Sequence, residues 1–351
     1  MDLDLTDDQE AIREVFAGFF AAEAGPDQAR GAEPLGFDSA AWQRLLETGA
    51  PGMGVPEEAG GGGGGLADLA VVAEEAGAHI APVPIIDHMV TARLLARLGA
   101  LDDDVLAGTV VAGIALRPAV DAVAMTVPTG AVAGRLVALD GDRLLIVGAA
   151  ASGVALANHG CMPLAHRPLD GGTILATGTT ALDAHARAVD EWRTLTAAAL
   201  VGITRTAIDL AVGYVSERHQ FGRPIGSFQA VQHGLADLPG LLEGARLLTG
   251  KAAWAGDDDD DGVVDLGDNE ITEFATLAGM ALVFAGEASA RATDRSLHFH
   301  GGYGFSEEYD IQLFYRRARA WSLVLGDPAG ECRRLADRLL DGDRPDGGRA
   351  A

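Results

Sequence analysis

Between Tyr214 and His233 the chain reads YVSERHQFGRPIGSFQAVQH, and this stretch constrains its folding more than any other. Ahead of it, Ala197, Ala198, Ala199, Gly202, Ala207 and Ala211 build a long helical run whose small side chains let other helices come close. The run breaks at Phe221-Gly222-Arg223-Pro224, where glycine permits unusual backbone angles and proline disfavours a helical residue before it. A second helix is expected to restart near Ser227 as N-cap and to continue through Val231, Leu235, Leu238 and Leu242. The break gathers Arg218, His219, Gln220, Arg223 and Gln229 at one corner. A guanidinium fork beside free amide donors suits a phosphate or pyrophosphate group. The same cations would equally complement the negative end of a helix dipole.

Charge narrows the partners. The chain has 26 Lys+Arg against 51 Asp+Glu, a formal net charge of -25, and Lys251 is its one lysine. Nucleic acid and anionic membrane surfaces both require clustered cations, so neither is expected as a partner. A few placed arginines still suffice for a phosphate-bearing small ligand. Hydrophobic residues make up 48% but aromatics only 5%, which favours close-packed helices over an aromatic-rich β sandwich. Cys161 and Cys332 are the two cysteines and lack metal-ligand spacing, so no metal and a reducing, cytoplasmic setting are expected. The acidic start MDLDLTDDQE does not read as a secretory signal, and no uninterrupted apolar run reaches membrane-spanning length.

Thr6 to Gln9 forms a capping-box pattern ahead of Ile12, Val15, Phe16, Phe19 and Phe20, which predicts an amphipathic first helix. Trp42, Leu45 and Leu46 mark another helix that stops at Gly49 and Pro51. Gly60 to Gly65 precedes a helix bearing Leu69, Val72 and Ala76. This glycine run lacks a Gly-Lys-Ser/Thr ending and a preceding strand, so it reads as a flexible turn and not as a phosphate loop. A further helix runs through Met89, Leu94 and Leu95.

From Gly108 the period changes to short β-leaning runs: Val110 to Leu116, Arg135 to Leu139, Arg143 to Val147 and Thr173 to Ala176. Asp140-Gly141-Asp142 signals a hairpin between two of them. The expected architecture is mainly α with an inserted β domain: a helical domain over 1–107, a small antiparallel sheet over 108–181 and a helical bundle over 182–345. Within the bundle, the acidic run Asp257 to Asp261 reads as a solvated loop without the ligand spacing of a calcium loop. Phe274, Leu277, Met280, Ala281, Phe284 and Ala288 form a core stripe leading to Leu297-His298-Phe299-His300-Gly301-Gly302-Tyr303-Gly304-Phe305. Its glycines let a backbone approach a ligand closely. His298 and His300 stand two apart on a helix and do not face each other, which disfavours a metal.

Together, the pattern R-x-Q-F-G-x-P-I-x-x-F-Q from Arg218 to Gln229, H-G-G-x-G-F-S-E-E-Y from His300 to Tyr309 and R-R-A-R from Arg316 resemble the acyl-CoA dehydrogenase family of flavoproteins. Gly52-Met53-Gly54-Val55-Pro56-Glu57-Glu58 and Glu74-Glu75-Ala76-Gly77 resemble that family's first helical domain, so the likeness covers nearly the whole chain. It implies FAD, an acyl-CoA thioester substrate, and homo- or hetero-oligomers built through the C-terminal bundle. The family reaction removes a proton alpha to the thioester while a hydride leaves the beta carbon for the flavin. By this likeness, Arg218 and Gln220 match residues that reach the FAD pyrophosphate from the neighbouring subunit. Phe228 and Gln229 match a further FAD contact, and His298, Gly301 and Gly302 match the loop holding the adenosine side, where the family more often has Gln in place of His298. Arg193 matches an arginine on the substrate side; an ion pair with Asp190 or Glu191 is its alternative.

Two departures fall on the catalytic side. The family's β-domain flavin loop, Thr-Glu-Pro-x-x-Gly-Ser-Asp, is replaced by Ala115-Leu116-Arg117-Pro118 and Ala119-Val120-Asp121, and its Trp-Ile-Thr-Asn stretch is missing. The usual catalytic glutamate position falls on Leu325, and the alternative position for that base falls on Trp192. Asp327 is the nearest carboxylate that a small shift would bring into the slot, and is the candidate base; Glu191 neighbours the other position. This pattern resembles shortened subunits that some bacterial acyl-CoA dehydrogenases pair with a complete partner in a heterotetramer, as in sterol side-chain breakdown. The chain is therefore expected to complete, with Arg218, Gln220 and Gly301-Gly302, an FAD site centred on another chain. The alternatives are a self-sufficient dehydrogenase using Asp327, and a non-redox acyl-thioester binder or scaffolding subunit.

Overall fold

A computed structural model describes residues 3–148, 153–257 and 273–341. The first helix, α1 (Asp7–Glu23), starts on the expected reciprocal cap: Thr6 Oγ1 accepts from the Gln9 amide at 3.2 Å, and Gln9 Oε1 accepts from the Thr6 amide at 3.1 Å. Short α2 (Pro26–Ala32) and α3 (Ser39–Leu46) follow, the latter capped by Asp38. Trp42 of α3 is buried, donates from Nε1 to the Gly108 carbonyl at 2.9 Å, and meets His88 edge-on. Helices α4 (Leu66–Ala78) and α5 (Ile85–Arg97) form the inner layer, and α6 (Asp103–Leu106) leads to the strands.

The glycine run before α4 is tied down, contrary to the flexible turn expected from its composition. The amides of Gly62, Gly63 and Gly64 donate to the carbonyls of Gly52, Val55 and Met53, and Arg93 of α5 donates to the Gly54 and Gly64 carbonyls at 2.9 and 3.2 Å. The free amides at the start of α4 are capped from far along the chain. Asp257 accepts from the Ala67 amide at 2.9 Å and from the Leu66 amide. The opening residue of the acidic run is thus a packed helix cap and not part of a solvated loop; residues 258–262 lie outside the described residues.

The middle region differs from a single antiparallel sheet. Its strands are β1 (Ala112–Ile114), β2 (Val123–Val127), β3 (Arg135–Asp140), β4 (Arg143–Gly148), β5 (Ala165–Pro168) and β6 (Thr173–Thr177). They form one sheet in the order β1-β3-β4-β6, with β1 parallel to β3 and the rest antiparallel, and a separate antiparallel pair of β2 and β5. Asp140 pairs with Arg143 across Gly141-Asp142, as the turn residues predict, with Gly141 at φ +63°. Alternate residues of β3 face opposite cores. Val137 and Leu139 join the main helical core, whereas Leu136 and Ala138 pack with Ala124, Val127 and Leu169 in a second cluster.

The central helix α7 (Gly178–Glu217) runs 40 residues and is buried over most of its length. Among the described residues it alone is long and apolar enough to cross a membrane by length and composition, and 72% of that segment is buried inside the protein. Its small residues serve close approach, as expected. A Cβ placed on Gly202 would lie 1.9 Å from the Glu74 carbonyl oxygen, and one on Gly77 would lie 2.0 Å from the Ala199 carbonyl oxygen. The backbones of α4 and α7 therefore touch, and Arg205 of α7 holds buried Glu75 at 2.8 Å. Gly202→Ala is expected to cost about 1–3 kcal/mol by forcing the two helices apart, read as a lowered urea midpoint; an unchanged midpoint would refute the close crossing.

After α7 come a hairpin of β7 (His219–Gln220) and β8 (Arg223–Pro224), then α8 (Gln229–Ala236), α9 (Leu238–Asp257), α10 (Phe274–Phe299), α11 (Ile311–Trp321) and α12 (Pro328–Asp341). Ser227 is not the N-cap. It belongs to a single 3-10 turn and its Oγ donates to the Pro224 carbonyl at 2.7 Å, so the helix starts one residue later, after extended Phe228.

Candidate functional site

The end of α7 and the glycine-rich segment after α10 meet at one corner. Arg218 leaves the helix, its amide donating to the Tyr214 carbonyl at 2.8 Å, and its own carbonyl accepts from Ile225 at 2.8 Å, which closes the hairpin. At the tip, Phe221 has φ +56° and is 92% exposed. Arg223 stacks on the Phe228 ring at 4.1 Å, and Phe221 meets the same ring edge-on. The Arg218 guanidinium lies 5.3 Å from the centre of the Tyr303 ring, which joins the hairpin to the turn Gly301–Phe305. Tyr214 stacks on His300 at 4.3 Å beneath them.

Several features keep this corner available. Among the described residues neither Arg218 nor Arg223 makes an ion pair. A Cβ on Gly301 or Gly302 would meet nothing within 4 Å, so that backbone borders open space. Gln220 and Gln229 are exposed, and His298 is exposed at the last turn of α10. His300, by contrast, is a satisfied core histidine: it is buried and its Nδ1 lies 2.8 Å from the Ser296 carbonyl. Burial holds its pKa below the ordinary value. No group of three or more metal-ligating side chains occurs among the described residues.

The catalytic side is arranged differently. Leu325 is half-buried against the main core. Asp327 is exposed and its Oδ1 accepts from the Ala329 amide at 3.0 Å, the geometry of a cap on α12. Asp327→Asn is accordingly expected to leave stability and turnover unchanged, because Asn caps as well as Asp, whereas Asp327→Ala should cost about 1 kcal/mol in a denaturant titration. A large loss of turnover in the Asn variant would make Asp327 a base.

Arg193 is committed to carboxylates: Asp190 at 2.6 Å and Glu331 of α12 at 3.0 Å, all three shielded from water. The ion-pair alternative with Asp190 is the one observed, with Glu331 as a second partner that spacing along the chain gives no way to find. Glu191 is fully buried between Arg93, Arg97 and Arg187. Trp192 is buried and donates to Asp87 Oδ1 at 3.1 Å. Burial pushes the Asp87 carboxyl up to about 7, partly offset by that hydrogen bond. Asp87 and Trp192 line a cavity of about 70 Å³, far below the roughly 300–1,000 Å³ of ordinary ligand pockets.

Models of the acyl-CoA dehydrogenase N-terminal domain and C-terminal domain match residues 6–102 and 182–340. The chain belongs to the acyl-CoA dehydrogenase family, FAD-dependent oxidoreductases. It is 31% identical to acyl-CoA dehydrogenase IpdE2 of Mycolicibacterium smegmatis over 94% of this chain and 98% of that one. It is 30% identical to acyl-CoA dehydrogenase FadE34 of Mycobacterium tuberculosis over 94% of this chain but 48% of the relative. Among solved structures, a variant of the Tcur3481-Tcur3483 steroid ACAD superposes with a TM-score of 0.82 at 27% identity, covering 96% of this chain and 98% of that one.

Proposed function

We propose that this chain is the partner-type subunit of a two-chain acyl-CoA dehydrogenase, acting in the cytoplasm, whose hairpin corner completes an FAD site centred on the second chain. The observation that carries this reading is an asymmetry. Arg218 makes no ion pair among the described residues and the Gly301-Gly302 backbone borders open space, whereas Leu325 and Trp192 occupy the base positions, and Asp327 and Arg193 are engaged in a helix cap and an ion cluster. The length of FadE34 supports pairing. The matched part is 48% of it, which leaves room in one polypeptide for a second unit of this size. The Tcur3481-Tcur3483 steroid ACAD is itself named as two chains, and favours a steroid-like acyl-CoA as the shared substrate.

The flavin, when bound, supplies the hydride acceptor for alpha,beta-dehydrogenation. This chain's share is binding and orientation. Arg218 would pair with a pyrophosphate oxygen, and Gln220 and the amides beside Gly301 and Gly302 would donate to the remaining oxygens. Phe228 and Gln229 would border the same nucleotide, and His298 would face its adenosine end. Neither base position on this chain can accept a proton, so that step falls to a carboxylate of the second chain.

Arg218→Gln tests the reading in the reconstituted two-chain complex. Losing one charge-assisted contact should weaken FAD binding roughly tenfold to a hundredfold without moving the melting temperature of the isolated chain. Unchanged FAD affinity would defeat it.

A further inference from the structure

A cavity of about 590 Å³ lies where α1, α4, α7 and α9 meet, a size that suits a small organic molecule. Val71 of α4, Ala198 and Val201 of α7, and Ala253 and Trp254 of α9 supply an apolar wall. Carboxylates dominate the polar wall. Arg205 holds Glu74 at 3.1 Å and Glu75 at 2.8 Å, and Arg246 divides itself between Glu74 at 3.2 Å and Glu243 at 3.4 Å, so two guanidinium groups serve three carboxylates. Both reach Glu74 through Oε1, which leaves its Oε2 for another donor. In a chain where acids outnumber bases 51 to 26, such a wall would by itself say little. The cavity also holds an unmet hydroxyl. Thr249 of α9 lines it at 4% exposure, and its Oγ1 has no hydrogen-bond partner. The buried helical threonines Thr91, Thr194, Thr204 and Thr293 each donate to the carbonyl four residues back. Thr249 does not, and a buried polar group left unpaired beside a cavity marks a place for a ligand atom.

We propose that this cavity binds an amphipathic organic cation, a primary alkylammonium, whose ammonium group donates to the Thr249 hydroxyl and to Glu74 and whose apolar body lies against Val71, Val201 and Trp254. An ammonium supplies the positive charge that the three carboxylates lack and the donor that the hydroxyl lacks. The site goes beyond the flavin reading and shares no lining residue with the corner at Arg218.

Titration calorimetry of the whole chain with octylammonium, its neutral analogue octanol, and octanoate tests the proposal. Octylammonium should bind once per chain, more weakly as salt rises, and at least about tenfold more tightly than octanol or octanoate. Thr249→Val should lose about tenfold or more without lowering the melting temperature, because the hydroxyl it removes has no partner in the folded chain. Thr249→Ser should keep the affinity, Glu74→Gln should weaken octylammonium but not octanol, and Arg218→Gln should change nothing. Equal binding of octanol or octanoate, full affinity or a lowered melting temperature in Thr249→Val, loss in Arg218→Gln, or no binding of octylammonium would overturn it. None of these outcomes bears on flavin content, which is measured separately in the complex.

Discussion

Replacing Asp87 by asparagine should stabilise the protein at pH 8 by about 2–4 kcal/mol and leave it nearly unchanged at pH 4. Asp87 is buried in the folded chain, where its carboxyl is pushed up to about 7 from an ordinary 3.8. Below the ordinary value both folded and unfolded chains keep the proton, and Asp87 costs nothing. Between the two values the unfolded chain releases a proton that the folded chain retains, so stability falls as pH rises. Above the folded value the penalty is constant. Asparagine keeps an acceptor for Trp192 Nε1 and cannot ionise. Urea unfolding of both proteins from pH 4 to pH 8 should therefore give curves that diverge towards high pH. Parallel curves would show that the carboxyl is not buried as described.

Glu191→Ala should be the most damaging single change in the helical core, costing about 3–5 kcal/mol. The carboxylate is fully buried and serves Arg93 at 3.4 Å, Arg187 at 3.6 Å and Arg97. Removing it leaves Arg93, itself only 8% exposed, as an uncompensated charge in the interior. Arg93 also holds the Gly54 and Gly64 carbonyls, so amide exchange in the glycine run should accelerate together with the loss of stability. Glu191→Gln, which retains an acceptor, should cost less. A loss below about 1 kcal/mol in Glu191→Ala would mean that the network is solvated.

Whatever is decided within a few residues was legible in the sequence. The Thr6–Gln9 cap, the Asp140 hairpin and the break after α7 all follow from local backbone chemistry, whereas the core stripe expected on α10 holds at Phe274, Leu277, Ala281 and Ala288 but leaves Met280 half-buried and Phe284 exposed. Features set by distant partners were not. Strand β5 contains Arg167 and Pro168 and carries no alternating pattern. It pairs with distant β2, and its buried Arg167 reaches the carbonyls of Gly130, Ala133 and Gly148 at 3.0, 3.0 and 3.2 Å. Three-residue β1 gives no sign that it runs parallel to β3. Asp257 looks like the start of a charge run until the amides of α4 are placed against it. At the candidate site, Arg218 and the glycine turn stand out as motifs. Their meeting through Tyr303, and the commitment of Arg193 to Glu331, needed three dimensions.

Flavin content per chain tests the central claim most directly. The chain purified alone should be colourless, and the complex with a second acyl-CoA dehydrogenase chain that retains its glutamate and flavin loop should contain one FAD for every two chains. One FAD per chain in the isolated protein, with thioester oxidation by it alone, would contradict the proposed division of labour between this chain and its partner.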